Sequence, residues 1–330
     1  MSSQALGIPG VDLDLERRLQ ARLDEVERAL LESTTGEFPL VTEAARHLLR
    51  AGGKRFRPML VLLAAEFGDV DAPGILPSAL VVELTHVATL YHDDVMDEAT
   101  MRRGAPSANT HYGNSVAILV GDFLFARASD LVADLGPDAV RLQARTFSRL
   151  VQGQIRETQG PGEGDPLEHY LQVVADKTGS LIATSALFGA SMAGASVQVQ
   201  TALCDYGERI GTCFQLADDI IDVASSDAAL GKAQGTDLRE GVATLPMLLA
   251  MMSSDPADAR LQSLLGRPLT DDAEHAEALA RLRVHPAVDQ ARAYVQERAD
   301  DARALLHAVP DGPARRALES LCDAVVTRSA

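Results

Sequence analysis

Six aspartates carry the first chemical signal in this chain. Asp93, Asp94 and Asp97 lie in "YHDDVMDEATMRRG" (91–104), and Asp218, Asp219 and Asp222 lie in "QLADDIID" (215–222). The pattern D-D-x-x-D therefore occurs twice, each time toward the C-terminal part of an apolar segment. At about 100° per residue, His86, Thr89, Asp93 and Asp97 share one stripe of a helix, with Asp94 beside it. Gln215, Asp218, Asp219 and Asp222 share a face by the same arithmetic. Like charges one turn apart destabilise a helix, and near its C-terminus they also oppose the macrodipole. A bound divalent cation removes both objections. Hard oxygen ligands without clustered Cys or His favour Mg²⁺ over zinc, and Mg²⁺ keeps water and substrate phosphate oxygens in its shell. The expected ligand is a phosphate or diphosphate held by metal ions between two acidic helices. A solvated acidic helix end is the plainer account of one such motif; the second copy and the apolar turns before the first weigh against it.

The basic residues fit an anion. Lys54, Arg55 and Arg57 lie in "GGKRFRP" (52–58), a glycine turn before a helix, where cations and backbone N–H groups can face one ligand. Arg102 and Arg103 follow the first acidic motif, and Lys177 and Lys232 are further candidates. Any one of them taken singly is an ordinary solvated charge. As a set they stand out against 47 acidic and 30 basic residues. His86 alone reads as a packed core histidine, but it sits two turns before Asp93 on the same stripe.

Helices must position these groups. Leu15, Leu19, Leu23, Val26 and Leu30 recur at helical spacing, and further helices are predicted at about 40–50, 58–68, 76–98, 113–135, 138–159, 166–177, 179–195, 198–224, 243–253, 272–283, 287–308 and 313–327. Prolines fall at the edges of these segments, and no strand alternation stands out. The fold class is all-α, a single domain over residues 1–330 with no linker long enough to divide it. A net charge of −17 repels nucleic acid. Three cysteines without paired spacing favour a reducing cytosol, so the expected location is cytoplasmic. The start of the chain carries no secretory signal, and no apolar run is long enough for a membrane span.

"GGKRFRP", "ELTHVATLYHDDVMDEATMRRG", "DKTGSL", "FQLADDIID" and "GKAQGTDLREGVATLP" together resemble the trans-prenyl diphosphate synthases, or polyprenyl synthetases, in the family's order over about residues 40–250. The resemblance implies a large helical bundle of the isoprenoid synthase type with a central cavity, working as a homodimer. It implies head-to-tail condensation of isopentenyl diphosphate with an allylic prenyl diphosphate. Asp93, Asp94, Asp97, Asp218, Asp219 and Asp222 would hold Mg²⁺. Lys54, Arg57, His86 and Arg103 would bind isopentenyl diphosphate, and Arg102, Lys177 and Lys232 the allylic diphosphate. Lys177, Thr178 and Gln215 form the implied catalytic set, the last two stabilising the developing allylic cation. One departure is Val242, where many members carry lysine. The product would leave through transient contact with a membrane surface.

Product length is expected to depend on Ala88 and Thr89. They precede Asp93 by five and four residues, roughly 6–8 Å deeper along the helix at 1.5 Å per residue. In the family, large aromatic residues here stop elongation and small ones permit it. A long all-trans product in the hepta- to decaprenyl range, a precursor of quinone side chains, is expected; geranylgeranyl diphosphate is the alternative. A class I terpene cyclase, a non-catalytic subunit of a heteromeric synthase and a purely structural bundle are the rival readings. "GGKRFRP" argues against the cyclase, and two intact acidic motifs argue against the subunit.

Overall fold

The computed structural model describes residues 10–224 and 234–329. They fall into two compact units: one runs up to Phe147 and includes Leu181–Cys204 and His307–Leu318, the other comprises Ser148–Ser180, Asp205–Leu306 and the segment from Glu319.

The first unit is built around one apolar helix. α1 (Leu13–Ser33) is capped by Asp12, whose carboxylate accepts from the N–H of Asp14 and Leu15, and it buries the five residues picked out by its periodicity. α2 (Pro39–Arg50) opens on proline, and α3 (Phe56–Ala65) starts two residues earlier than predicted, because Arg55 precedes it in the left-handed region. α4 (Ile75–Met96) is buried on nearly every side through most of its length, as expected of a helix apolar all round. The Tyr91 hydroxyl donates to the Ala44 carbonyl and accepts from Leu48 N–H, which fastens α2 to α4. α5 (Ala108–Tyr112) is too short to show a period and was not predicted; α6 (Asn114–Ala133) lies along α4.

A small hairpin breaks the all-helical pattern. β1 (Met101–Arg102) pairs antiparallel with β2 (Ala105–Pro106). Its two central residues, Arg103 and Gly104, have φ of 54° and 76°, as a type I′ turn requires.

The second unit holds the C-terminal part of α7 (Pro137–Gln159), then α8 (Pro166–Val174), which passes into a π-helical turn, Ala175–Gly179. The helix break expected near Thr178 is thus an inserted residue; the chain continues directly into α9 (Ser180–Met192), whose bulk belongs to the first unit. α10 (Val197–Ala224) carries the second aspartate motif. Of the later helices, Asp272–Arg283, Pro286–Leu305 and Pro313–Ser329 match their predicted spans closely, while Thr236–Glu240 and Ala259–Leu265 were not predicted.

Candidate active site

In the first unit, the "GGKRFRP" turn separates its cations into two roles. Arg55 is 6% exposed and turns inward: Nε meets Glu27, Nη1 donates to Glu83 at 3.1 Å and Nη2 to the Leu49 carbonyl at 2.9 Å. Arg55, expected to face an anion, instead braces the turn. Arg57 differs from it: its Nε is buried without a hydrogen-bond partner, and burial lowers the guanidinium to about 10. Gly53 makes this crowding feasible, since a Cβ there would stand 2.9 Å from Arg55 Nη1 and 3.1 Å from Arg103 Cζ, with φ at +147°. Arg103 anchors by Nη1 to the Leu48 carbonyl at 3.0 Å and the Gly52 carbonyl at 2.5 Å. His86 joins this cluster. Burial first, then the charges of Arg57, Arg103, Arg55 and Arg102, hold its imidazole well below the ordinary value. Arg57, His86 and Arg103 are thus brought together as expected, with Lys54 exposed on the same turn. Glu83 is the buried carboxylate among them and has an electrostatic influence on both Arg57 and Arg103.

The three aspartates at the end of α4 differ in setting. Asp94 is fully buried; it accepts from Arg102 Nε at 2.6 Å and from Ala108 N–H at 3.4 Å. Asp93 is half-buried and Asp97 exposed, one turn apart on the face expected for them. Deeper on α4, Ala88 is fully buried and the Thr89 hydroxyl donates to the His86 carbonyl at 2.7 Å.

In the second unit, α10 presents Gln215, Asp218, Asp219 and Asp222. Asp219 is 6% exposed; Gln215 Nε2 donates to its Oδ1 at 3.0 Å and the Tyr170 hydroxyl to its Oδ2. Burial raises its carboxyl to about 6, against the lowering effect of these two hydrogen bonds. Asp222 accepts from the N–H groups of Thr236 and Asp237, both at 3.4 Å, so the "GTD" stretch folds back on the motif. Asp218 accepts from Arg328 Nη2 at 2.8 Å, and the same guanidinium lies 4.7 Å over the Phe214 ring. The Thr178 hydroxyl reaches Gln215 Oε1 at 3.5 Å, and Lys177 Nζ donates to Glu157 at 2.5 Å. Lys232 lies outside the described residues. Val242 is half-exposed and its N–H donates to the Asp237 carbonyl at 2.9 Å.

Tyr170, Glu83 and Arg328 were missed by sequence reasoning. Tyr170 precedes Lys177 by two helical turns, and Glu83 is the charged residue inside an otherwise apolar run; both were detectable. Arg328 is 110 residues from Asp218, and no local signal joins them.

Among the described residues, no three His, Cys, Asp or Glu side chains converge as a ready-made ion cage. The donor set still suits Mg²⁺, which needs only one or two carboxylates with water and phosphate oxygens completing its octahedron. Asp93 and Asp97 meet that need on one helix face.

The polyprenyl synthetase family pattern matches residues 38–282. The chain is 47% identical to a nonaprenyl diphosphate synthase from Mycobacterium tuberculosis, over 99% of each chain. Among solved structures it resembles geranylgeranyl pyrophosphate synthase from Corynebacterium glutamicum complexed with calcium and isoprenyl diphosphate, at 45% identity and TM-score 0.87, covering 96% of this chain and 98% of that one. It also resembles a polyprenyl synthase from Caulobacter crescentus complexed with the same ligands, at 35% identity and TM-score 0.89, covering 97% and 99%. The chain belongs to the polyprenyl synthetase family, with the all-α isoprenoid synthase fold. It is accordingly a transferase, a prenyl diphosphate synthase.

Proposed function

We propose that the enzyme condenses isopentenyl diphosphate with an allylic diphosphate and repeats the step to a long all-trans product in the hepta- to decaprenyl range, for quinone side chains. The observation that carries this reading is Ala88, a small side chain fully buried on α4 just before the first aspartate motif. The likeness to a nonaprenyl diphosphate synthase over its whole length supports it. The second reading is a geranylgeranyl diphosphate product, favoured by the 45% identical Corynebacterium structure.

Asp93, Asp97, Asp218 and Asp222 would hold Mg²⁺, with Asp94 and Asp219 bonded behind them. Mg²⁺, when bound, stabilises charge on diphosphate oxygens. Arg102, Lys177 and Lys232 orient the allylic diphosphate and offset the charge that grows as it leaves. Thr178 and Gln215 turn oxygen dipoles toward the developing allylic cation. Lys54, Arg57, His86 and Arg103 hold isopentenyl diphosphate so that its double bond attacks that cation, and the departing diphosphate takes the proton released. Apolar side chains such as Ala88 exclude water, which would otherwise quench the cation.

Both units act together as a single catalytic domain, a reading supported by the family pattern, which runs through segments of each. The enzyme works as a homodimer; exposed Ile118 and Leu119 on α6 offer an apolar face for it. None of its three cysteines is joined in a disulfide, in keeping with a cytoplasmic setting. No helix among the described residues is long and apolar enough to cross a membrane; the product would leave through transient contact with a membrane surface. Incubation with farnesyl diphosphate, isopentenyl diphosphate and Mg²⁺, followed by product sizing, tests the proposal. Chains of seven to ten isoprene units are expected; geranylgeranyl diphosphate alone would overturn the long-chain reading.

A further inference from the structure

Charge joins α7 to the π-turn after α8, residue for residue. Arg156 and its neighbour Glu157 on α7 meet Asp176 and its neighbour Lys177: Arg156 Nη1 donates to Asp176 Oδ2, and Lys177 Nζ to Glu157 Oε2 at 2.5 Å. Two turns earlier on α7, Arg149 donates from Nε to Asp176 Oδ1 at 2.7 Å and from Nη1 to Glu208 of α10 at 2.9 Å. Gln172 gives Asp176 a further donor at 2.9 Å. The Asp176 side chain is 3% exposed, so two guanidinium groups and an amide hold a carboxylate that water scarcely reaches. Buried carboxylates are tolerated only when paired in this way.

Gly153 lies on the same stretch of α7. A Cβ there would stand 2.9 Å from Lys177 N and 3.0 Å from Asp176 Cβ, so a side chain would push the π-turn off the helix. A π-turn carries one residue more than the α-helical ladder accommodates and recurs at functional positions. Here the charged support for it comes from Arg149 and Arg156 of α7. Within the turn lies Thr178, whose hydroxyl reaches Gln215 at the long distance of 3.5 Å, a contact that a small rotation of the turn would lose.

We propose that Arg149, Arg156 and Asp176 are positioning residues for the allylic half of the site, and that Glu157 holds Lys177 until an allylic diphosphate displaces it. The proposal rests on the reading of Lys177 and Thr178 as allylic-site residues. Glu157 competes with the substrate for one ammonium group. Neutralising it releases Lys177, because apparent affinity falls with the fraction of a site already engaged elsewhere. Asp176 acts on geometry, and a displaced Thr178 costs rate more than binding.

The test uses the full chain with Mg²⁺ and an unreactive probe, farnesyl thiolodiphosphate, measured by calorimetry beside steady-state kinetics. Glu157→Gln is expected to tighten probe binding about threefold. Asp176→Asn is expected to lower kcat about tenfold with the KM for isopentenyl diphosphate unchanged. If Asp176→Asn does not fold, the half-exposed Glu157 variant still decides the proposal. Unchanged or weaker probe binding by Glu157→Gln overturns it, as does an Asp176→Asn variant whose isopentenyl KM rises as much as its kcat falls. Lys177→Ala separates the two levels. Unchanged probe affinity there overturns the reading of the site itself; weakened affinity with Glu157→Gln silent leaves that reading standing and overturns the competition between Glu157 and the substrate.

Discussion

Arg102 and Asp94 are bonded across the end of α4, Nε to Oδ1 at 2.6 Å, with the carboxylate wholly buried and the guanidinium 28% exposed. The first aspartate motif is therefore anchored by a cation from the hairpin that follows it. Removing the cation leaves a buried charge uncompensated. Arg102→Ala is expected to cost about 3–5 kcal/mol of stability, the usual penalty for breaking a buried pair. Asp93→Asn, at a half-buried position, should cost clearly less stability than Arg102→Ala in the absence of metal and yet suppress turnover. Urea denaturation of both variants checks this; equal losses would contradict an anchoring role for Arg102.

Ala88→Phe should shorten the product. Ala88 has no exposed surface, so the larger ring must either fill space along α4 or strain its surroundings, at about 1–3 kcal/mol. Mass spectrometry of extracted products is the measure. A variant that folds and still makes wild-type chain lengths would remove Ala88 from the elongation path.

His86 gives a pH prediction with a definite sign. Burial and four neighbouring guanidinium groups depress its folded value below the roughly 6.5 of an unfolded histidine. The fold thus favours the neutral ring; this contribution is complete above about pH 6.5 and is lost as pH falls toward the folded value. Nitrogen-detected NMR of the imidazole should find His86 neutral at pH 6 in the free enzyme. Added isopentenyl diphosphate, by offsetting the arginines, should raise its protonation. A ring already charged at pH 7 without ligand would refute the clustering.

Gly53→Ala combines a φ of +147° with a Cβ crowded by Arg55 and Arg103. The backbone strain is on the order of 1–3 kcal/mol, and it falls on the turn that presents Arg57. The KM for isopentenyl diphosphate should rise about tenfold or more, since about 1.4 kcal/mol is one decade. The allylic KM should hold steady, and parallel titrations of the two substrates would expose any common effect.

What could be read from the sequence follows the reach of each signal. α4, α7 and α10 repeat their apolar residues over many turns, and their predicted spans lie within a few residues of those observed, while the five residues picked out in α1 are the ones it buries. Ala108–Tyr112 and Thr236–Glu240 are single turns, too short for a period to register. The start of α3 was misplaced because Arg55 adopts a left-handed conformation that its residue type does not announce. Spacing placed Asp93 and Asp97 on one face, but it could not separate them from Asp94, whose burial depends on Arg102 and Ala108. Arg55 looked like an anion contact by composition; only the partners Glu27 and Glu83, both 28 residues away, show that it turns inward. Residues 251–330 carried no chemical motif, yet Arg328 reaches Asp218.

Glu83 gives the basic pocket a resident counter-anion. Part of the positive field from Arg55, Arg57 and Arg103 is already spent on this carboxylate before any ligand arrives. An anion entering the pocket therefore meets a positive potential that Glu83 has lowered by the same amount per unit of ligand charge. Glu83 thereby lets the guanidinium groups of Arg55, Arg57 and Arg103 stay packed together before any ligand is present, so that the cluster is preformed rather than assembled on binding.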